Sequence, residues 1–496
     1  MSRWSQFYLF IIVASLVATF GCGGAAVAPT PTPAPSYYQI VTVSDLHFNP
    51  LYDATLYSQL VNTDPTTQWA GVFQTSSKKV PSVGGTDTNY PLLMLTLASM
   101  KQNMGTSPLV LFTGDLLGHN IPANFCTAYY GALNQSVPPG CATSESAPMQ
   151  QFIANTFTFV ASQVRLYVGN VPVIYVPGNI DAYVGGYGPD TQFLIGNAPT
   201  VYSQFLNSAA DLQTFQSTFT LDGYYAVQPL GSKLVVIALN TNSFVAGVPT
   251  SGSAGPELTW LDSQLAAAQT AGQKVWILMH VPPGANSQGI AQVAATPSDV
   301  DASDVSMMWD PDVQSTFINT LAKYPGLVTL MLAGHTHMDE FRILPTGDVL
   351  EQLPGISPCF GNNPAFKILT VTQDTFTPTD YQSFDYNLGT MPAQFGALYQ
   401  FSNTYGAQDS LGSSLVQLYP RLATDQTKRD TYTMLYGSGT ASVNPITFAP
   451  WNPINDVNWP IFACTIDEVE QSAYLGCVSS YNSSTADSVQ QSPSSR

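Results

Sequence analysis

"YQIVTVSDLHFNP", residues 38–50, runs from a Val- and Ile-rich apolar stretch straight into an aspartate and a histidine one residue apart. A short apolar run bounded by polar residues reads as a buried strand. Asp45 and His47 therefore fall just past a strand end. The arrangement recurs along the chain. "PLVLFTG" (108–114) leads into Asp115 and His119 of "GDLLGHN", and "VPVIYVPG" (171–178) leads into Asn179 of "GNID". "KVWILMH" (274–280) ends in His280, and "VTLMLAG" (328–334) leads into His335 and His337 of "HTH". The chain has 5 histidines, and these motifs account for all of them. One more strand is predicted over "KLVVIALN" (233–240).

Between the strands lie helical patterns. "PELTWLDSQLAAAQTAG" (256–272) puts Leu258, Leu261 and Leu265 on one face, with Pro256 at the start and Gly272 as the stop. Strands alternating with helices predict an α/β fold whose neighbouring strands are mainly parallel. In such folds ligands gather at the carboxyl ends of the strands. One sheet edge can then collect five imidazoles, two aspartates and an asparagine. Histidine is the commonest metal-binding side chain, and carboxylate oxygens complete sites for borderline ions.

Composition narrows the choices. Formal net charge is −18 and only 9% of residues are charged. A general nucleic-acid binder needs a basic surface to replace phosphate counterions, so no such surface is expected. A local cationic centre built on metal remains compatible with an acidic chain. At the start, "FYLFIIVASLVATF" (7–20) is too short for a comfortable membrane span and follows "MSRW" with its one arginine. It ends in "GCGG", which resembles a bacterial lipoprotein cleavage site with Cys22 as the lipidated residue. An ordinary cleaved signal peptide is the alternative. Either reading makes residues 1–21 a signal peptide, 22–36 a Pro/Thr/Ala-rich tether, and the body extracytoplasmic, secreted or held at the cell envelope. Export suits the remaining cysteines. Cys126 with Cys141, and Cys464 with Cys477, can form two disulfides in an oxidising compartment, leaving Cys359 over. After about residue 360 the texture turns rich in Tyr, Phe and Ser, and "SSYNSSTADSVQQSPSSR" (479–496) reads as a disordered tail.

The ordered series D-x-H, G-D, G-N, a lone His and G-H-x-H resembles the calcineurin-like metallophosphoesterase superfamily. The resemblance implies a four-layer α/β/β/α sandwich over residues 37–358, with a partly helical C-terminal extension over 359–478. It also implies two divalent metal ions, zinc by preference, with manganese or iron as substitutes. Asp45, His47, Asp115 and His337 would hold the first ion. Asp115 would bridge to the second, which Asn179, His280 and His335 complete. A histidine four residues after the bridging aspartate, as in "GDLLGH", resembles the acid sphingomyelinase-like phosphodiesterases and the related endopolyphosphatases. "TPTDYQSFDYNL" (377–388) and "FACTIDEVEQSAYLGC" (462–477) look like the extension of that branch, with Cys464 and Cys477 as its pair. The purple acid phosphatases fit less well, because they place a tyrosine where this chain has Gly118.

The implied activity is metal-dependent hydrolysis of phosphate esters, with phospholipid head-group or nucleotide-type phosphodiesters as substrates. Hydroxide generated at the metals near neutral pH would attack phosphorus, and His119 would protonate the departing alkoxide. Endopolyphosphatase or acid phosphomonoesterase activity is the alternative within the same chemistry. A non-catalytic surface lipoprotein that binds metal and phosphate is the alternative outside it. Where the family usually has histidine after the motif asparagine, this chain has Ile180, which can neither donate nor accept a proton. Asp181 beside it is expected either as a loop or cap ligand or as a functional carboxylate. Asn49 stands where relatives often carry aspartate.

Overall fold

The computed structural model describes residues 35–207, 211–247, 254–294, 296–439 and 454–490. The expected signal peptide, Cys22 and all but the last two residues of the expected tether lie outside them. The strands are, in chain order, β1 (Tyr37–Val43), β2 (Val110–Phe112), β3 (Val173–Tyr175), β4 (Tyr225–Val227), β5 (Leu234–Ala238) and β6 (Lys274–Leu278). They continue as β7 (Val328–Ala333), β8 (Glu340–Ile343), β9 (Val349–Gln352), β10 (Ala365–Thr372), β11 (Pro378–Asp385) and β12 (Gly396–Gln400). Each of the six stretches predicted as strands contains one.

They form two six-stranded sheets, ordered β12-β11-β10-β1-β2-β3 and β4-β5-β6-β7-β9-β8. The motif-bearing strands are parallel neighbours: β1 with β2, β2 with β3, and β6 with β7. Within each sheet the carboxyl ends of these strands therefore point one way. Flanking pairs are antiparallel, including β1–β10, β10–β11, β4–β5 and β8–β9. The expected mainly parallel arrangement thus holds at the centre of the second sheet. The first is divided into a parallel half, β1, β2 and β3, and an antiparallel half, β10, β11 and β12.

Alternation along the second sheet separates two cores. Val236, Trp276, Leu278, Leu330 and Leu332 face the large core shared with the first sheet. Val235, Ile237, Val275, Ile277 and Met331 face the other way. That second core contains Leu258, Leu261 and Leu265 of the helix Ala254–Ala271, all buried as their spacing predicts. Each such leucine contributes about 1.5–3 kcal/mol of burial. Helices thus cover the outer face of a sheet whose inner face meets its partner.

Two boundaries differ from expectation. The extension expected over 359–478 does not begin as an appendage. Its first strand, β10, pairs along β1 from Tyr37↔Thr372 to Thr42↔Lys367, inside the first sheet. Only the later helices, Leu411–Thr424, Gln426–Tyr436, Trp459–Asp467 and Gln471–Gln490, form the helical addition. The last of these continues to Gln490, past the start of the tail expected to be disordered from residue 479. Its first turns are anchored by buried Tyr474 and Val478 and by the Cys464–Cys477 disulfide. An anchored first turn removes the nucleation cost of the rest.

Candidate metal centre

The loops after the strands interlock through backbone hydrogen bonds. Asp45 N–H donates to Gly114 O (3.0 Å), His47 N–H to Asp115 O (2.9 Å) and Phe48 N–H to Leu116 O (2.9 Å). On its other side, His47 O accepts from Thr88 N–H (3.1 Å). Leaving the strands this sharply bends the backbone into the left-handed region. Asp45, His47, Asp115, His335 and His337 have φ of 50°, 43°, 56°, 74° and 63°. Non-glycine residues held there cluster at functional sites, because the surroundings must compensate the strain. Two glycines permit the crowding. A Cβ on Gly178 would lie 2.1 Å from Asp115 Oδ1, and one on Gly334 2.8 Å from Asp45 Oδ2.

The seven expected ligands converge. Asp45, His47 and His337 offer donor atoms all within 4.8 Å of one another, and so do Asp115, His280 and His335. Asp115 joins the two sets: its Oδ2 lies 3.1 Å from His280 Nε2 and 3.3 Å from His47 Nε2. Asn179 Oδ1 sits 3.0 Å from His280 Nε2 and 3.0 Å from His335 Nδ1. Asp45 is held by the His335 N–H, at 3.1 and 3.0 Å from its two oxygens, and by the Ser44 hydroxyl.

Backbone carbonyls set the imidazole tautomers. His47 Nδ1 donates to Leu117 O (3.0 Å), His280 Nδ1 to Thr113 O (2.7 Å) and His337 Nδ1 to Ser357 O (3.0 Å). A carbonyl only accepts, so each Nδ1 carries the proton, and on a neutral ring Nε2 turns a lone pair inward. Burial lowers His47 to about 4 and His337 to about 3. Both are neutral near pH 7, with Nε2 facing Nε2 at 3.1 Å. His280 differs. Burial pulls it down, but the charges of Asp115 and Asp45 outweigh that and raise it to about 9. The buried carboxylates thus call for positive charge, and inward lone pairs stand ready to receive a cation. The donor set fits divalent metal. It consists of imidazole nitrogen and oxygen without thiolate, which suits zinc, manganese or iron. Free Cys359 lies 3.8 Å from His337 Nδ1, the ring atom that faces away from the centre.

His119 stacks on the His47 ring with centroids 4.0 Å apart. Its Nδ1 donates to Asp87 Oδ1 at 2.8 Å. Burial opposes protonation of His119, but the Asp87 hydrogen bond and charge, helped by Asp115 and Asp45, raise its pKa above the ordinary value. Asp87 is the functional candidate that sequence reading missed. It follows no strand and belongs to no motif, and only contact with His119 marks it.

Asp181 clips two loops together. Oδ1 accepts from Leu116 N–H (2.9 Å) and Leu117 N–H (3.0 Å), and Oδ2 from Tyr175 O–H (2.7 Å) and Gly178 N–H (3.0 Å). Burial and the Asp115 charge raise it to about 6. Ile180 donates its backbone N–H to Asp115 Oδ1 (2.8 Å). Asn49 closes a turn, accepting from Leu51 N–H (2.9 Å). Gly118 leaves no room for a side chain, since a Cβ there would lie 2.9 Å from Phe48 O. Disulfides join Cys126 to Cys141 and Cys464 to Cys477.

With this geometry in view, the family assignment follows from one match: a family model described as calcineurin-like phosphoesterase covers residues 38–339, more than half of the chain. The chain belongs to the calcineurin-like phosphoesterase family. This family member is a phosphoric ester hydrolase and falls in the acid sphingomyelinase-like branch. It is similar to sphingomyelinase phosphodiesterase D of Dictyostelium discoideum, with 24% identity over 480 residues, 88% of this chain and 94% of that one. Human cyclic GMP-AMP phosphodiesterase is 24% identical over 405 residues, 75% of this chain and 76% of that one. Human sphingomyelin phosphodiesterase is 25% identical over 315 residues, 58% of this chain but only 46% of that protein.

Proposed function

We propose that this family member is an exported phosphodiesterase that hydrolyses phospholipid head-group or nucleotide-type phosphodiesters at two divalent metals. Asp45, His47 and His337 would hold one ion and Asn179, His280 and His335 the other, with Asp115 shared. The observation that carries the reading is the single Asp115 oxygen within 3.1–3.3 Å of imidazoles from both sets. Bound divalent ions supply charge against the phosphate oxygens and lower the pKa of water for attack on phosphorus.

The chain's own groups do the rest. Neutral His47 and His337 present lone pairs whose direction the Leu117 and Ser357 carbonyls fix. Asp181 keeps the loops that carry Asp115 and Asn179 in register. His119, oriented through Nδ1 by Asp87, has Nε2 left to give a proton to the leaving oxygen. Ile180 supplies no second proton, so that task falls to His119 alone. Zinc is the proposed metal, with manganese or iron as substitutes. The relatives' names, sphingomyelin and cyclic GMP-AMP phosphodiesterases, support a phosphodiester rather than a monoester or polyphosphate.

The decisive assay compares bis-p-nitrophenyl phosphate, p-nitrophenyl phosphate, sphingomyelin, ATP and polyphosphate, each with and without zinc. Metal-dependent turnover of the diesters ahead of the monoester is expected. Turnover of ATP or polyphosphate alone would replace the reading with its alternative. Export rests on the signal-like start and the two disulfides. Among the described residues no helix is long and apolar enough to cross a membrane. The proposed attachment is through lipidated Cys22. Membrane-fraction protein that Cys22→Ala releases is the expected sign.

A further inference from the structure

We infer that the cleft beside His119 receives the departing alcohol of the substrate, that this alcohol is uncharged, and that Ile180 is the wall that selects it. The inference rests on the hydrolase reading and deepens it. The cleft has a volume of about 260 Å³, just below the usual range of about 300–1,000 Å³ for ligand pockets. It therefore suits a compact group. His119, Ile121, Ala142, Ile180, Ala182 and Val184 line it.

His119 links the cleft to the metal centre, because the same ring stacks on His47 at 4.0 Å. A phosphate at the centre would thus lie beside His119 with one ester arm directed into the cleft. The lining includes no Lys, Arg, Asp or Glu, and His119 is its one titratable side chain. A cationic arm entering there would lose hydration and meet no opposite charge, and an anionic arm would meet only His119, whose Nδ1 already donates to Asp87. Asn120 and Thr143 add neutral polar groups to the lining. An uncharged arm with apolar surface and a hydroxyl or two therefore fits best.

Ile180 is fixed in place by its neighbours on the backbone. Its N–H donates to Asp115 Oδ1 at 2.8 Å. The facing wall is fixed covalently. The Cys126–Cys141 disulfide ties the helix Ile121–Ala132 to the turn Cys141–Thr143, which supplies Ala142 and Thr143.

The test uses three methyl aryl phosphates whose aryl group carries a neutral acetyl, a carboxylate or a trimethylammonium substituent. Each kcat/KM is divided by the rate of the same ester with free hydroxide, which removes intrinsic leaving-group reactivity. The acetyl ester should exceed both charged esters by about tenfold or more. Ile180→Lys should raise the carboxylate-to-acetyl ratio by a similar factor. Val184→Lys, at a position 37% exposed and tolerant of change, should shift it in the same direction. Preference for the trimethylammonium ester would overturn the inference, since the net charge of the protein and not the cleft would then govern selection. So would an unchanged ratio in both lysine variants. If none of the esters is hydrolysed, the hydrolase reading fails. Calorimetric binding of the three matching non-hydrolysable phosphonates then decides the cleft alone: the same ranking sustains it, and equal affinities overturn it.

Discussion

His47 and His337 face each other through Nε2 at 3.1 Å, while the opposite nitrogen of each ring donates to a backbone carbonyl. Two inward lone pairs at that distance repel unless a cation lies within reach of both. Beside them, Asp45 Oδ1 is 3.5 Å from His337 Nε2. The centre is thus built at a cost that ligand binding offsets. Chelation should lower the melting temperature, and zinc, manganese or iron should restore it. At free metal about a hundredfold above Kd, the linkage is about 2.7 kcal/mol. Calorimetry of metal-depleted and reloaded protein measures this, and identical melting temperatures would reject the centre.

Asp115 touches imidazoles of both sets, so in the proposed centre its charge would serve two ions. Asp115→Asn should abolish nearly all activity and reduce bound metal at both positions, where loss of an ordinary ligand would reduce it at one. Elemental analysis alongside turnover checks this. Two metals per chain with near wild-type turnover would defeat the assignment.

His119 and Asp87 form a hydrogen-bonded pair at 2.8 Å. General acid catalysis contributes about 10²–10⁴-fold, and most where the leaving group needs the proton. His119→Ala should therefore slow alkyl phosphodiesters far more than nitrophenyl esters, at unchanged metal content. Asp87→Asn should show the same pattern with a smaller loss, because the ring stays and only its orientation weakens. Equal losses on both substrate classes would make His119 a phosphate-orienting group instead.

Glu257 is fully buried in the helix Ala254–Ala271. One oxygen accepts the Asn240 N–H at 2.7 Å, and the other has no hydrogen-bond partner among the described residues. Burial, reinforced by Asp222, raises its pKa well above the ordinary 4.5 and outweighs the Asn240 hydrogen bond. The folded protein then binds a proton that the unfolded chain releases above about pH 4.5. Stability should fall as pH rises from there towards the raised folded value. Glu257→Gln should remove this slope, gaining on the order of 1 kcal/mol at pH 8 while changing little at pH 4. Denaturant melts at both pH values measure it, and a variant less stable at pH 8 would contradict the buried, protonated state.

Much of the centre was legible along the chain because strands announce themselves locally. Short apolar runs, three of the five ended by glycine and all leading into Asp, Asn or His, marked where seven ligands would stand. Their convergence needed more than the single sheet edge expected. Asp45, His47, Asp115 and Asn179 follow strands of one sheet and His280, His335 and His337 strands of the other, so the packing of the two sheets brings them together. The strands β4 and β8 to β12 were not legible. β11, for example, alternates imperfectly between buried and half-buried residues, so its pattern is weak.

What the sequence by itself determined was the set of residues at strand ends, the helix Ala254–Ala271 within two residues of its start, and the family they imply. Tertiary structure alone decided which side chains meet across loops. Asp87 reached His119 because Thr88 pairs with the His47 backbone. Asp181 became a clip between loops, and β10 entered the sheet beside β1. Lys367 shows the same limit: its charge lies buried between Asp339 (2.7 Å) and Glu351 (3.3 Å), although nothing near it in the chain marks it as interior. Periodicity reports which face of an element is apolar. The partner of a single polar group depends on where distant segments come to rest, and only the closed fold sets that distance.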